Sequence, residues 1–239
     1  MPKKHSSPVF SSVDIRSPFA EAFRTLRTNL SFAGVDKPYR TILVTSTLPD
    51  EGKSSTTSNL GVVLAQAGQK VLIMDCDLRK PVQHNNFMLN NTVGVTNCLV
   101  NGQELSRVVQ STEVLGLDVL TCGPIPPNPA ELIASDKMAA LINAAREAYD
   151  IVLVDSPPAL TVTDASLLSA MVDGVLLVVK TASTKIEMVQ EAKSSLEKAN
   201  AKIIGVVLNQ VDANSSNYYY HYYYYAKDDK KKSMPKVAL

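Results

Sequence analysis

The chain has 239 residues, 45% hydrophobic and 20% charged, and its 24 basic and 23 acidic side chains leave a formal net charge of +1. That balance excludes a disordered or fibrous chain and gives no global reason to expect nucleic acid or an anionic membrane as the main partner. No stretch approaches the roughly 18 apolar residues of a membrane span. Cys76, Cys98 and Cys122 lack metal-ligand spacing, which suits small apolar side chains in a reducing, cytoplasmic setting.

Residues 1–16 are rich in Ser, Pro and Lys without a sustained period and read as a flexible arm. Ser17 as a cap, Pro18 at the first helical position and Phe19, Phe23, Leu26 and Leu30 at helical spacing predict an amphipathic helix over 17–33. After a loop at Gly34 to Pro38, Thr41 to Thr45 reads as a buried strand, Ser54 to Ala67 as a helix closed by Gly68, and Val71 to Met74 as a second strand. The middle reads as a loop from Lys80 to Gly94 and a short helix around Glu104 to Val109. Strand signals return at Leu117–Thr121, Ile151–Val154, Val175–Val179 and Ile203–Leu208, with helices over Pro129–Ala148, Asp164–Met171 and Ile186–Ala199. Continuous β-branched runs alternating with helices predict a doubly wound α/β fold: a mostly parallel sheet in a three-layer sandwich, with ligands at the carboxyl ends of the strands. A single domain over 17–213 accounts for the pattern, which collapses beyond Val211. Residues 214–239 read as a disordered tail, where seven of the nine tyrosines fall between Tyr218 and Tyr225.

Chemistry concentrates at three strand ends. Ser46-Thr47-Leu48-Pro49-Asp50-Glu51-Gly52-Lys53-Ser54 nearly matches the phosphate loop, in which N–H groups at a helix start wrap phosphates, a lysine reaches the outer ones and a hydroxyl ligates magnesium. Thr47 stands where that pattern has its first glycine. The loop residues Thr47, Leu48, Pro49, Asp50, Glu51, Gly52, Lys53, Ser54 and Ser55 are therefore the candidate nucleotide cradle. Asp75 and Asp77 lie just past the second strand and Asp155 ends a later one. Alone, each is as readily a cap or turn residue. In a parallel sheet these ends share one edge, where the three carboxylates surround the metal of a nucleotide held by Lys53 and Ser54.

These residues, in this order, resemble the bacterial tyrosine kinases of capsule and exopolysaccharide synthesis. Those kinases share a first nucleotide motif, a second of pattern Asp-x-Asp-Leu-Arg (here Asp75 to Arg79), a third ending in Asp-x-Pro-Pro (Asp155 to Pro158) and a C-terminal tyrosine cluster. Glu21 to Asn29 looks like the family's oligomerisation helix and Gly123 to Leu132 like its mid-chain loop; Asp50 departs from the glycine usual before Glu-Gly-Lys-Ser. The resemblance implies a P-loop NTPase-like fold related to the MinD and ParA ATPases, and ATP-dependent, magnesium-dependent phosphorylation of tyrosine. Carried over, Lys53 stabilises the transferring phosphate, Ser54, Asp75 and Asp155 hold Mg2+, and Asp77, or else Asp75, accepts the tyrosine proton. Asn209, after the last strand, stands where related ATPases contact the base.

The tail Tyr218, Tyr219, Tyr220, Tyr222, Tyr223, Tyr224 and Tyr225 is either a sticky low-complexity tract or a set of autophosphorylation sites reached in trans. Glu21, Arg24 and Arg27 lie at spacing three and share one side of their helix. From spacing alone they are a solvated face; the resemblance makes them the contact of a homo-oligomeric ring. It also implies a transmembrane activator of the chain-length regulator class, recruitment to the inner membrane face and a phosphotyrosine phosphatase as partners. Two alternatives compete. A partition-type ATPase switch carries an extra lysine early in its loop, and none occurs from Thr41 to Gly52. A non-catalytic ATP-binding scaffold fits Asp50 better than it fits Lys53, Asp75, Asp77 and Asp155.

Overall fold

Ser17 caps the first helix, α1 (Pro18–Ala33): its Oγ accepts the Ala20 N–H at 3.1 Å, and Pro18 supplies the preset φ of a first helical turn. The computed structural model describes residues 17–35 and 37–211; the predicted arm and tyrosine tail lie outside them. After α1 come β1 (Thr41–Ser46), α2 (Lys53–Gln66), β2 (Val71–Asp75), α3 (Gln83–Asn86), α4 (Val95–Asn101), α5 (Leu105–Val108), β3 (Gln110–Ser111) and β4 (Leu117–Leu120). The second half runs α6 (Pro129–Ile133), α7 (Asp136–Ala148), β5 (Ile151–Asp155), α8 (Asp164–Ser169), β6 (Gly174–Lys180), α9 (Ile186–Lys198) and β7 (Ile203–Asn209).

The strands among the described residues form one sheet in the order β3-β4-β2-β5-β1-β6-β7, parallel throughout except for β3 against β4. Alternate residues of each strand feed opposite layers, as the period-2 pleat demands. Ile42, Val44, Ile73, Leu153 and Val178 pack with α1 and α2; Leu43, Leu72, Val154 and Leu177 pack with α7, α8 and α9. Each such side chain contributes roughly 1.5–3 kcal/mol by burial, so both layers hold the sheet. Helix α2 lies between the sheet and α1, and every residue from Thr56 to Ala65 is buried. A helix covered all round needs no polar stripe, and this one has none. At Gly61 a Cβ would stand 2.7 Å from Ile73 Cδ1, so the missing side chain lets α2 lie close to β2 without displacing Ile73.

The predicted strands and long helices are present, with four differences. The helix expected over Pro129–Ala148 breaks at Ser135, whose extended backbone (φ −76°, ψ 151°) opens α7 while its hydroxyl donates to Leu132 O at 2.6 Å. Serine competes with the helix for backbone partners and so restarts it. Within the expected 80–94 loop, α3 forms because the N–H groups of Val82 and Gln83 are fixed on Asp75. Helix α4 buries Val95, Cys98 and Leu99, and the two-residue β3 is too short to leave a periodic signal. Among the described residues no helix is long and apolar enough to cross a membrane.

Candidate nucleotide site

β1 lies between β5 and β6, so its carboxyl end delivers the loop Thr47–Gly52 into the middle of the sheet edge. The loop is braced by its own Glu51. This carboxylate is 2% exposed and accepts the N–H of Thr47 at 2.8 Å and of Leu48 at 3.1 Å, while the Thr184 hydroxyl donates to its other oxygen. From the far side, Asn209 Nδ2 donates to Glu51 O at 2.8 Å and Gln210 Nε2 to Asp50 O at 3.3 Å. Gly52 has φ +91°, and a Cβ there would meet Asn209 Nδ2 at 2.0 Å, so any side chain at this position is strained and displaces Asn209. Asp50 also has positive φ, +62°, a conformation aspartate tolerates better than most residues, and its side chain is exposed. With Thr47 and Leu48 N–H bound to Glu51 and none on Pro49, the free donors lie at the start of α2, whose first-turn N–H groups have no partner inside the helix.

Asp75 and Asp155 meet at the neighbouring strand ends, both fully buried. Asp75 Oδ2 accepts the N–H of Val82 at 3.1 Å and of Gln83 at 2.9 Å; Asp155 Oδ2 accepts Gln83 Nε2 at 2.7 Å. Burial, and then the neighbouring Asp155 charge, push the Asp75 carboxyl up to about 8. Burial also raises Asp155, against the pull of Lys53, Ser54 and Gln83. Lys53 Nζ lies 2.8 Å from Asp77 Oδ2, 3.0 Å from Ser54 Oγ and 3.8 Å from Asp155 Oδ1. Burial works against its charge, but Asp155 and Asp77 outweigh that and raise its pKa. Asp77 Oδ1 accepts the N–H of Lys80 at 2.9 Å.

The residues present fit magnesium bound with a nucleotide. Asp75 Oδ1 and Asp155 Oδ1 are buried without a hydrogen-bond partner, and the Ser54 hydroxyl lies beside Lys53 at the same edge. Among the described residues no three His, Cys, Asp or Glu side chains are grouped to cage a metal by themselves. Mg2+ is ordinarily held by one or two carboxylates together with water and phosphate oxygens, which is the donor set found here.

The fold thus brings together Lys53, Ser54, Asp75, Asp77 and Asp155 from three segments. Asn209 reaches the same place, but its amide holds the loop backbone. On α1, Arg24 pairs with Glu21 at 2.9 Å and Arg27 donates to Val63 O at 3.1 Å. The tyrosines Tyr218 to Tyr225 lie outside the described residues. Sequence reading passed over Gln83, Ser58 and Thr184, polar residues in segments where spacing says nothing about burial. Arg79, the last residue of the Asp-x-Asp-Leu-Arg pattern, was given no role of its own, whereas its guanidinium grips the buried Asp164 with two hydrogen bonds of 2.9 and 3.0 Å. Asp164, at the start of α8, carried only the signal of a helix first turn.

Residues 42–233 match the CobQ/CobB/MinD/ParA nucleotide binding domain. The chain is 45% identical over 201 residues to the tyrosine-protein kinase YwqD of Bacillus subtilis, covering 84% of this chain and 85% of that protein. It is 41% identical over 222 residues to the putative tyrosine-protein kinase CapB of Staphylococcus aureus, covering 91% and 97%. The solved kinase domain of the Escherichia coli tyrosine kinase ETK superposes with a TM-score of 0.82 at 37% identity, covering 90% of this chain and 86% of that one. With the phosphate loop and the three strand-end aspartates in place, these likenesses show that the chain belongs to the bacterial tyrosine-protein kinases, built on a nucleotide-binding domain of the MinD/ParA type.

Proposed function

We propose that the chain transfers the γ-phosphoryl group of ATP to tyrosine hydroxyls, those of its own tail in a neighbouring copy among them, and thereby regulates capsular or exopolysaccharide synthesis and export. The observation that carries the reading is the contact of Lys53 with Asp77 and Asp155, with Asp75 alongside, at the mouth of a phosphate loop. Phosphoryl transfer asks a protein mainly for positioning and charge neutralisation, and this set supplies both. Lys53, released from Asp77 by an arriving phosphate, stabilises charge on the transferring group. The first-turn N–H groups of α2 orient the phosphate oxygens. Ser54, Asp75 and Asp155 are the residues that would hold Mg2+, which, when bound, neutralises phosphate charge. Asp77, freed of Lys53, is placed to accept the proton of the tyrosine hydroxyl.

The α1 residues Glu21, Arg24 and Arg27 form the proposed ring contact that presents each tail to the next subunit, and a transmembrane chain-length regulator is the proposed activator and membrane recruiter. Each added phosphate brings about −1.5 to −2 charge at neutral pH, which favours departure of the tail from an acidic site and its later reset by a phosphatase. Intact mass after incubation with Mg2+ and ATP, with the activator's cytoplasmic segment, tests the reading. Mass steps mapping to Tyr218 through Tyr225, absent in Lys53→Met, are expected. Steady ATP hydrolysis without added mass would instead establish a nucleotide switch.

A further inference from the structure

Gln83 lies on α3, in a segment whose sequence carries no period, yet its side chain has no solvent exposure. Its amide uses its full hydrogen-bonding capacity. Nε2 donates to Asp155 Oδ2 at 2.7 Å and to Ser54 O at 3.1 Å; Oε1 accepts from Ser58 Oγ at 2.7 Å and, at 3.4 Å, from Asn86 Nδ2. Its backbone N–H donates to Asp75 Oδ2 at 2.9 Å. One residue therefore bonds each of Ser54, Asp75 and Asp155. On both aspartates the bonded oxygen is Oδ2, and on both Oδ1 remains buried without a hydrogen-bond partner.

We propose that Gln83 is a positioning residue for the magnesium site: it ties down Oδ2 of both carboxylates and the first turn of α2, leaving Oδ1 of each aspartate as the oxygen available to a metal ion or its waters. The inference rests on the assignment of Ser54, Asp75 and Asp155 to magnesium. A buried carboxylate with two equivalent oxygens has no intrinsic preference for which one faces a ligand, and a neutral donor on one oxygen sets that choice without adding charge. Groups that orient metal ligands in this way typically weaken metal binding about 10- to 100-fold when removed. Ser58 acts one step further back, through Gln83 Oε1.

The test is a binding titration on the full chain with a fluorescent ADP analogue, first in EDTA and then across a magnesium series, for wild type, Gln83→Met and Ser58→Ala. Methionine keeps the length and volume of glutamine and removes its side-chain hydrogen bonds, including the one to Asp155, while its backbone N–H still serves Asp75 Oδ2. The magnesium concentration giving half-maximal enhancement of ADP binding should rise about 10- to 100-fold in Gln83→Met. Loss of one hydrogen bond in Ser58→Ala should raise it about fivefold. Affinity in EDTA should fall by no more than about fivefold, the share of the one bond from Nε2 to Ser54 O in the first turn of α2, and by less than the magnesium requirement rises. Unchanged magnesium dependence in both variants overturns the proposal, as does a parallel loss of metal-free ADP binding, which would mark Gln83 as packing alone. If Gln83→Met does not fold, Ser58→Ala decides between the same outcomes. Intact mass of the same wild-type preparation, after incubation with Mg2+, ATP and the activator's cytoplasmic segment, separates the two readings. A shifted magnesium dependence with no phosphotyrosine in wild type leaves the positioning role standing and removes the kinase reaction proposed above, whereas phosphotyrosine with unshifted variants does the reverse.

Discussion

Asp75 and Asp155 are register partners on the adjacent parallel strands β2 and β5, and neither has any solvent exposure. Two buried carboxyls held side by side disfavour joint ionisation, which is why burial and Asp155 together push Asp75 up to about 8. In Asp75→Asn the amide oxygen still accepts the Val82 and Gln83 N–H groups. The ligand-free protein should therefore melt at the wild-type temperature or up to about 4 °C higher, the equivalent of roughly 1 kcal/mol in a chain of this size. Wild type should gain about 2.7 kcal/mol from magnesium and ADP at a hundred times Kd, and the variant should lose most of that gain. Thermal scans with and without the ligands check both halves, and a ligand-free variant melting several degrees lower would contradict the first.

Gly52 and Asn209 are in steric register across the loop. Gly52→Ala should cost about 1–3 kcal/mol from positive-φ strain alone, with further loss from the 2.0 Å approach to Asn209. Asn209→Ala should cost about 1 kcal/mol through its lost bond to Glu51 O. The double variant should be more stable than the sum of the two losses predicts. A urea double-mutant cycle reads the coupling, and strict additivity would show that the contact carries no energy.

Asp50 is exposed, so its effect on ATP runs through solvent. Asp50→Gly should lower the KM for ATP by about two- to fivefold at low ionic strength, the scale of an exposed charge pair, and the gain should vanish near 0.5 M salt, where screening falls to within about 5 Å. A gain that persists in high salt would place the cause in the loop backbone instead.

Asp173 joins the start of β6 to β1. Its Oδ2 accepts the N–H of Arg40 at 2.9 Å and of Thr41 at 3.0 Å, and Oδ1 lies 3.2 Å from Arg146. Burial alone would raise its pKa, but the N–H donors and Arg146 outweigh it and hold the carboxyl below the usual range. A depressed folded-state pKa stabilises above the unfolded value of about 3.9 and is lost as pH falls through the folded one. Asp173→Asn should thus be less stable than wild type by about 1–3 kcal/mol at pH 7, and the gap should close as pH drops below about 4. Urea midpoints at pH 7 and pH 3 check it; a gap of equal size at both would show that the charge is not its source.

The parts of the site that sequence made legible are those fixed by backbone periodicity. Strands predicted at Thr41, Val71 and Ile151 end at Lys53's loop, at Asp75 and at Asp155, and a parallel sheet has to bring such ends to one edge. Gln83 reaches Asp155 across 72 residues of sequence through a side-chain amide, and nothing in its local spelling separates it from a solvated loop glutamine. Arg79 was illegible for a related reason, because its partner Asp164 stands 85 residues away and acquires its burial only when α8 packs. The break at Ser135 was readable in principle: Ser-Asp inside an apolar helical run spells a fresh helix start.

The Lys53 contacts also bear on how the protein is made. An edge crowded with Asp75, Asp77 and Asp155 would ordinarily lean on an outside cation to keep its strands together while the chain folds. Here the countercharge is covalently attached one residue past the phosphate loop and already lies on Asp77 and beside Asp155. Folding of this edge therefore has a countercharge that travels with the chain, before any nucleotide or magnesium arrives.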